Sequence, residues 1–330
     1  ATLQGFLTPP HVVRGAQEVY EIGSGQSVTL ATGPLFLSGV RFRFTANRAW
    51  NGVPRIIVPI GCHVDVLNIE CTTDCTTLQN MVRLMGHCSV GEIRLVAPQQ
   101  VNNITNQAVS CVNVVGPYAH IGAVHCEAFD KVISIGGRVW REDIEVPALV
   151  TGGAHYSTLG SLSVVGYQKA LHIQGSRGVT VGTVTASGRS EFAAVAPGRN
   201  VVHIDDCDLI TVQSVNGRDS TEHGVYVSGG NGDNDAGVVG SRAITFGDIR
   251  LVNSGQCGVK AKADDDVGAV PHNSLTIGSL TILGANKMVP DPPPDPSGVQ
   301  NADGLRLENI EHFNIGSVTV FSSGNYGPEP

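Results

Sequence analysis

The sequence predicts an all-β fold: a single-stranded parallel β-helix of about ten coils of three strands each. Three observations predict it: a composition rich in strand and turn residues, a repeated short apolar motif, and a change of apolar phase inside that motif. The chain has 330 residues, including 41 Gly but only 2 Trp and 3 Met. Val, Thr, Ile and Gly dominate, and these residues favour strands and turns over helices.

The repeated motif reads apolar-x-apolar-G-x-apolar-x-apolar. Its ten copies are LFLSGVRF (35–42), CHVDVLNI (62–69), CSVGEIRL (88–95), AHIGAVHC (119–126), STLGSLSV (157–164), VTVGTVTA (179–186), ITVQSVNG (210–217), ITFGDIRL (244–251), LTIGSLTI (275–282) and FNIGSVTV (313–320). Glycine stands fourth in seven of them. Short strands that recur in this way indicate a β-solenoid.

The apolar residues change phase in the middle of each copy. In residues 169–188, Val181 and Val184 would face opposite sides of a flat strand, because side chains alternate along a strand. We therefore predict a corner at the fourth residue that joins two strands. We expect glycine there because it leaves the β region without Cβ strain. The exceptions are Ser38, Asp65 and Gln213.

A further strand precedes most copies and completes the coil. These segments are MVRL (81–84), CVNV (111–114), VISI (132–135), ALHI (170–173), VVHI (201–204), GVYV (224–227), GVKA (258–261) and GLRL (304–307). We predict a lead-in over 1–27, the β-helix over 28–322 and a tail over 323–330. Stacked at the usual strand spacing, about ten coils would extend roughly 48 Å.

This architecture resembles the right-handed, pectate-lyase-like β-helix superfamily. Within it, the chain looks most like tailspike-type phage proteins and their polysaccharide-processing relatives. The resemblance covers nearly the whole chain from about residue 28 and rests on architecture, since no catalytic motif is shared. It implies right-handed coiling, a polysaccharide partner, and a place on the virion tail or outside the cell. We also expect a homotrimer. An open β-helix end would expose unpaired strand edges, so we expect either a partial chain or an oligomer that buries this edge.

Charge and hydropathy exclude some functions. The formal net charge of −8 argues against general nucleic-acid binding. No window of about 18 apolar residues exists, so we expect no membrane insertion. No signal-peptide pattern follows Ala1, so we expect a processed chain or a fragment.

The outward positions of the strands differ in chemistry. On the second strand, five successive coils place threonine outward: Thr158, Thr180, Thr211, Thr245 and Thr276. On the first strand the outward column reads Thr29, Ile57, Arg83, Asn113, Ser134, His172, His203, Tyr226, Lys260 and Arg306, and a neighbouring column reads Gln174, Asp205, Ser228, Lys262 and Glu308. Adjacent coils should align these side chains in steps of about 5 Å, which approximates the repeat of an extended sugar chain.

We therefore predict a solvent-facing groove for a polysaccharide on the first-strand sheet. The predicted catalytic residues are His172, His203, Asp205, Tyr226 and Lys260. The predicted substrate-binding residues are Arg83, Asn113, Lys262 and Arg306, together with Arg138 and Trp140 from the long loop over 136–156. Asp205 should fix the ring of His203 or raise its pKa.

Two reactions fit these residues. A lyase needs a base such as Tyr, His or Lys, and Lys260, Lys262 and Arg306 could hold a uronate carboxylate. A hydrolase needs two carboxylates about 5–9 Å apart, for which Asp205, Asp206, Asp219 and Glu222 are the candidates. The alternatives are a non-catalytic receptor-binding or structural spike, and a secreted polysaccharide lyase or epimerase.

The cysteines and acidic loops carry weaker signals. Cys62, Cys88 and Cys126 occupy inward positions and should be buried thiols, whereas Cys71 and Cys75 could pair or bind metal. We expect no cofactor. Calcium is the alternative, in the acid-rich segments 223–235 and 262–268, although neither has the spacing of a recognised site.

Overall fold

The protein folds almost entirely into strands. The structure is a computed structural model that describes residues 18–23, 26–46, 56–73, 81–101, 110–129, 131–141, 148–167, 169–188, 200–220, 222–229, 240–263, 270–285 and 304–321. Within these ranges the chain forms 23 strands, and none of it is a helix that could cross a membrane.

The strands form two long sheets. The first sheet has 12 strands: β1 (Glu18–Ile22), β3 (Gly33–Leu35), β4 (Val40–Phe44), β6 (Cys62–Cys71), β8 (Cys88–Val101), β10 (Ala119–Phe129), β13 (Thr158–Val165), β15 (Thr180–Ser187), β17 (Asp208–Arg218), β19 (Arg242–Ser254), β21 (Asn273–Ala285) and β23 (Phe313–Phe321). The second sheet has 11: β2 (Val28–Thr29), β5 (Ile56–Val58), β7 (Val82–Leu84), β9 (Val112–Val114), β11 (Lys131–Arg141), β12 (Ala148–Gly152), β14 (Lys169–Gln174), β16 (Val202–Asp205), β18 (Val225–Ser228), β20 (Val259–Lys262) and β22 (Leu305–Glu308).

The chain alternates between the two sheets except at the consecutive pairs β3–β4 and β11–β12. Strand pairing within each sheet is parallel except between β11 and β12. Inward side chains stack coil upon coil. One fully buried column of the first sheet runs Val181, Val212, Phe246, Ile277, and one of the second sheet runs Ile173, Ile204, Val227, Ala261. This all-β arrangement of long parallel sheets is compatible with a parallel β-helix.

The predicted change of phase is confirmed by burial. Val181 and Val184 are both fully buried although three positions separate them. The pairing ladder between β13 and β15 skips Gly182 at this point. The predicted second and third strands nevertheless belong to one continuous strand in every copy except the first, which is divided between β3 and β4.

The predicted reason for the corner glycines is wrong. None of the seven has a positive φ; left-handed backbone occurs instead in the turn before the long strands, as at Tyr118 and Tyr156. A Cβ added at any corner glycine would lie 2.1 to 2.6 Å from the carbonyl oxygen of the corner residue on the preceding coil. At Gly182 that distance is 2.1 Å, to Gly160. Glycine is needed there because the coils approach too closely for a side chain.

The cysteine predictions are confirmed where the structure describes them. Cys62, Cys88 and Cys126 are buried free thiols. Burial, with a smaller contribution from Cys88, raises the pKa of Cys62 to about 12, so this thiol stays protonated and unreactive. Cys71 is also buried, whereas Cys75 lies outside the described residues.

Candidate functional site

The predicted column of reactive side chains is present on the second sheet. Strands β14, β16, β18 and β20 pair in register, so that His172, His203, Tyr226 and Lys260 occupy adjacent positions. The rings of His172 and His203 stack with centroids 4.7 Å apart, and those of His203 and Tyr226 with centroids 4.9 Å apart. Nζ of Lys260 lies 5.5 Å from the centroid of the Tyr226 ring, within the range of a cation–π interaction.

The prediction that the first-strand column faces solvent is wrong for its middle part, although Thr29 at its beginning is exposed. Arg83 is 3 % exposed, Asn113 is fully buried and His172 is 3 % exposed. Asn113 is engaged locally, since its amide donates to the carbonyl of Ser110 at 2.7 Å and its oxygen accepts from the Ser110 N–H at 3.2 Å. Strand alternation gives the direction of a side chain but not what lies above it. Arg83 and Asn113 therefore offer no surface to a substrate in this structure.

The second half of the column is half-buried and joins a chain of hydrogen bonds. Nδ1 of His203 lies 2.9 Å from Nζ of Lys169, and Nε2 lies 2.7 Å from Oγ of Ser228. The Ser228 hydroxyl in turn donates to Oδ1 of Asp205 at 3.1 Å. Gln174 donates its amide N–H to the other oxygen of Asp205 at 2.9 Å. One polar network is thus formed by five strand residues: Lys169, Gln174, His203, Asp205 and Ser228.

Sequence reasoning missed Lys169. It lies three residues before His172, a spacing that on a regular strand turns the two side chains to opposite faces. Only the register between β14 and β16, together with the length of the lysine side chain, brings its amine to His203. No pattern within one strand contains that information.

Burial moves the pKa values of the two charged ends of this network toward neutrality. It raises the pKa of Asp205 to about 6, helped by the charge of Asp206 and opposed by Ser228, Lys169 and Gln174. Burial also lowers the pKa of Lys169 to about 8, helped by Lys131 and opposed by Asp205 and Glu222. A carboxyl group and an amine tuned in this way are typical of acid–base sites.

The expected rise in the pKa of His203 is not found. Burial, and then the charge of Lys169, hold the pKa of His203 well below its usual value. Asp205 reaches His203 only through Ser228. Because the ring is neutral and both of its nitrogens are engaged, His203 is placed to orient its neighbours rather than to accept a proton from a substrate.

Two of the predicted cations already have a carboxylate partner. Nζ of Lys262 lies 3.7 Å from Glu308, and the Arg306 guanidinium forms a salt bridge with the same carboxylate. The expectation that these two residues stand ready for a substrate carboxylate is therefore not supported by the geometry. Lys260, against the Tyr226 ring, is the better placed cation.

The proposed carboxylate partners of Asp205 are also accounted for. Asp206 has a left-handed φ of 48°, which turns its buried side chain to accept from the Gly240 N–H at 2.7 Å. Asp219 follows β17 of the first sheet and accepts from Arg218 and Asn253, both at 3.0 Å. Glu222 lies 3.7 Å from Nε2 of His223, and its charge also acts on Lys169 inside the network.

The remaining predictions fall partly outside the described residues. The described part of the segment predicted as a loop over 136–156 includes the end of β11 and all of β12. These two strands pair in antiparallel fashion, which places Arg138 opposite Thr151 and Trp140 opposite Leu149. The side chains of Arg138 and Trp140 are outside the description, as are most of the two acid-rich segments. Among the described residues, no group of three His, Cys, Asp or Glu side chains could hold a metal ion.

Comparison with known proteins adds no information on the site. No protein-family model, no curated protein and no solved structure matches the chain.

Proposed function

We propose that this protein binds a bacterial surface polysaccharide along the outward face of the second sheet and cleaves it beside Asp205. The observation that carries the proposal is the network around Asp205, a half-buried carboxyl group with a pKa near 6 at the side of a row of aligned rings. A group with a pKa near the working pH is suited to proton transfer. The spacing of the row, close to 5 Å, approximates that of an extended sugar chain.

The residues of the site have different roles in this proposal. Asp205 transfers the proton, Tyr226 and Lys260 contact the sugar, and His203 orients the network. In a hydrolase, Asp205 protonates the leaving oxygen while a second carboxylate, for which Glu222 is the candidate, activates water or attacks the sugar. In a lyase, Asp205 takes the proton next to the uronate carboxylate, and Lys260 neutralises that carboxylate.

The finer architecture belongs to the same proposal. We infer a right-handed β-helix of about ten coils, each with about three straight segments, in a homotrimeric tailspike on the virion tail or outside the cell. The phase change at Gly182 supports three segments per coil. The residues before and after Gly182 point inward from opposite sides of the strand, so one long strand corresponds to two segments. A non-catalytic spike is the second candidate, favoured by the internal pairing of Lys262 and Arg306 with Glu308.

The test is incubation with purified bacterial capsular polysaccharides and lipopolysaccharides. We expect new reducing ends from at least one polysaccharide, with the wild-type protein and not with Asp205→Asn. Ultraviolet absorbance of an unsaturated product separates elimination from hydrolysis. Binding without new reducing ends would favour the non-catalytic spike, and neither binding nor cleavage would contradict the proposal. Sedimentation analysis tests the trimer.

A further inference from the structure

The hydrogen-bonded chain from Lys169 to Asp205 has a direction. A protonated amine has only donors, so Lys169 donates to Nδ1 of His203. A neutral imidazole that accepts at Nδ1 carries its proton on Nε2, and this proton is donated to Oγ of Ser228. The Ser228 hydroxyl then directs its own proton to Oδ1 of Asp205.

The direction of the chain decides where the proton of Asp205 can point. Both protein partners of the carboxyl group are donors, because Gln174 also donates an N–H to Oδ2. With Gln174 in this orientation, which leaves its own amide oxygen buried and without a hydrogen-bond partner, a protonated Asp205 has no acceptor within this network. The proton is directed out of the network, toward a bound substrate.

We propose that Lys169 is a positioning residue: its ammonium group fixes the tautomer of His203, which holds the Ser228 hydroxyl on Asp205 and so keeps the Asp205 proton available to the substrate. This inference rests on the proposed role of Asp205 in proton transfer. The lysine acts through two intermediate side chains and does not itself touch the reacting atoms.

Removal of the lysine would allow the chain to reverse. Protonated Asp205 could then donate to Ser228, Ser228 to Nε2, and His203 would carry its proton on Nδ1. All the hydrogen bonds between Asp205 and His203 would survive, but the acidic proton would be bound internally. The carboxylate would also lose a nearby positive charge, which would raise its pKa further.

Several charged groups act on this chain besides its own members. Asp206 and Lys169 act on Asp205; Lys131, Asp205 and Glu222 act on Lys169; Lys169, His172 and His223 act on His203. Of these, only Lys169 has its amine on an imidazole nitrogen of His203. Lys131, which pairs with Lys169 in the register of β11 and β14, provides a matched control.

The experiment is nuclear magnetic resonance of protein with labelled histidine side chains and aspartate carboxyl groups, followed as a function of pH. In the wild-type protein we expect His203 to keep its proton on Nε2 throughout the titration of Asp205. In Lys169→Met we expect the tautomer to change as Asp205 becomes protonated, and the Asp205 midpoint to rise by about one pH unit or more. Lys169→Arg should restore the wild-type tautomer, and Lys131→Met should keep it.

Turnover adds a second readout. With a polysaccharide that the wild-type protein cleaves, Lys169→Met should lower kcat by about 10²-fold with little change in KM, and Lys169→Arg should recover most of it. A tautomer and an Asp205 midpoint that do not change in Lys169→Met, or that change equally in Lys131→Met, would overturn the inference. The resonance measurements need no substrate, so failure of the proposed function would be recognised separately, by the absence of cleavage in the wild-type protein.

Discussion

The outward faces of the two sheets use the same strand geometry for different chemistry. On the first sheet, β13, β15, β17, β19 and β21 align five threonines whose side chains reach solvent. On the second sheet, the equivalent positions of β14, β16, β18 and β20 align two histidines, a tyrosine and a lysine. Of these, His172 is buried and His203 belongs to the polar network around Asp205. Threonine suits an exposed parallel strand without further partners. The difference therefore shows that the ionisable side chains are buried on the second sheet, where burial costs free energy.

That cost is substantial. An ionised group moved out of water loses several kcal/mol of hydration, which is recovered only when hydrogen bonds and opposite charges replace the water. Around Asp205 the structure supplies such replacements, from Ser228, Gln174 and Lys169. A fold that needed only stability could use threonine on both faces. The second-sheet network is thus better explained by function than by folding.

The largest expected effect is a difference in turnover between a variant on the second sheet and a variant on the first. Asp205→Asn keeps the shape of the side chain but removes its titratable proton, so we expect turnover to fall by about 10²–10⁴-fold. The matched control is Thr211→Ala on the first sheet, which should leave turnover unchanged. Equal turnover in the two variants would place the chemistry elsewhere.

A smaller loss is expected for the orienting ring. His203→Ala removes the link between Lys169 and Ser228, and we expect about 10²-fold lower turnover together with a measurable loss of stability, because the ring is packed between His172 and Tyr226. Thr245→Ala should change neither quantity. Kinetics and denaturant titration on the same preparations measure both. Wild-type turnover in His203→Ala would remove the network from the mechanism.

The close spacing of the coils keeps both faces aligned, and the corner glycines set it. An added Cβ at Gly182 would lie 2.1 Å from a backbone oxygen, so we expect Gly182→Ala to lower the free energy of unfolding by about 1–3 kcal/mol. At Gly23 the nearest atom would be 3.6 Å away, an ordinary contact, and Gly23→Ala is the control. Denaturant titration compares the two. Equal stabilities would contradict the close approach of the coils.

The last prediction concerns the change in the free energy of unfolding per pH unit. We attribute it to His223, which lies just before β18 of the second sheet. Burial lowers the pKa of His223 from 6.5 to about 3, so below pH 6.5 the unfolded chain binds a proton that the folded chain does not. Stability should therefore fall, by up to about 1.4 kcal/mol per pH unit for this group, as the pH drops from 6.5 toward 3. His223→Gln should reduce the slope. His120→Gln, an exposed ring on the first sheet, should not, and the reverse result would contradict this origin of the acid sensitivity.

The sequence predicts well which way a side chain points and which side chains lie side by side on adjacent strands. It predicts poorly which other parts of the chain surround a side chain. The phase change between Val181 and Val184 and the adjacency of His172, His203 and Tyr226 follow from periodicity and parallel register, which are local properties. The burial of Asn113 and the reach of Lys169 depend on neighbouring coils, and periodicity within one strand does not report on them.

The corner glycines show the same limit in another form. The apolar pattern predicts their position, but the physical reason that it suggests, a left-handed backbone within one strand, is wrong. The structure gives a reason that involves two coils, namely the carbonyl oxygen of Gly160 beneath Gly182. Likewise, the pairing of β11 with β12 in a segment predicted as a loop could not be read from its glycine and valine content alone.

The central claim is that a polysaccharide lies on the outward face of the second sheet. The most direct measurement is a crystal structure of Asp205→Asn with an oligosaccharide prepared from a polysaccharide that the wild-type protein cleaves. We predict sugar rings along β16, β18 and β20, in contact with Tyr226 and Lys260 and with a glycosidic oxygen beside residue 205. An oligosaccharide bound along the threonines of the first sheet, or between subunits and away from residue 205, would contradict the claim.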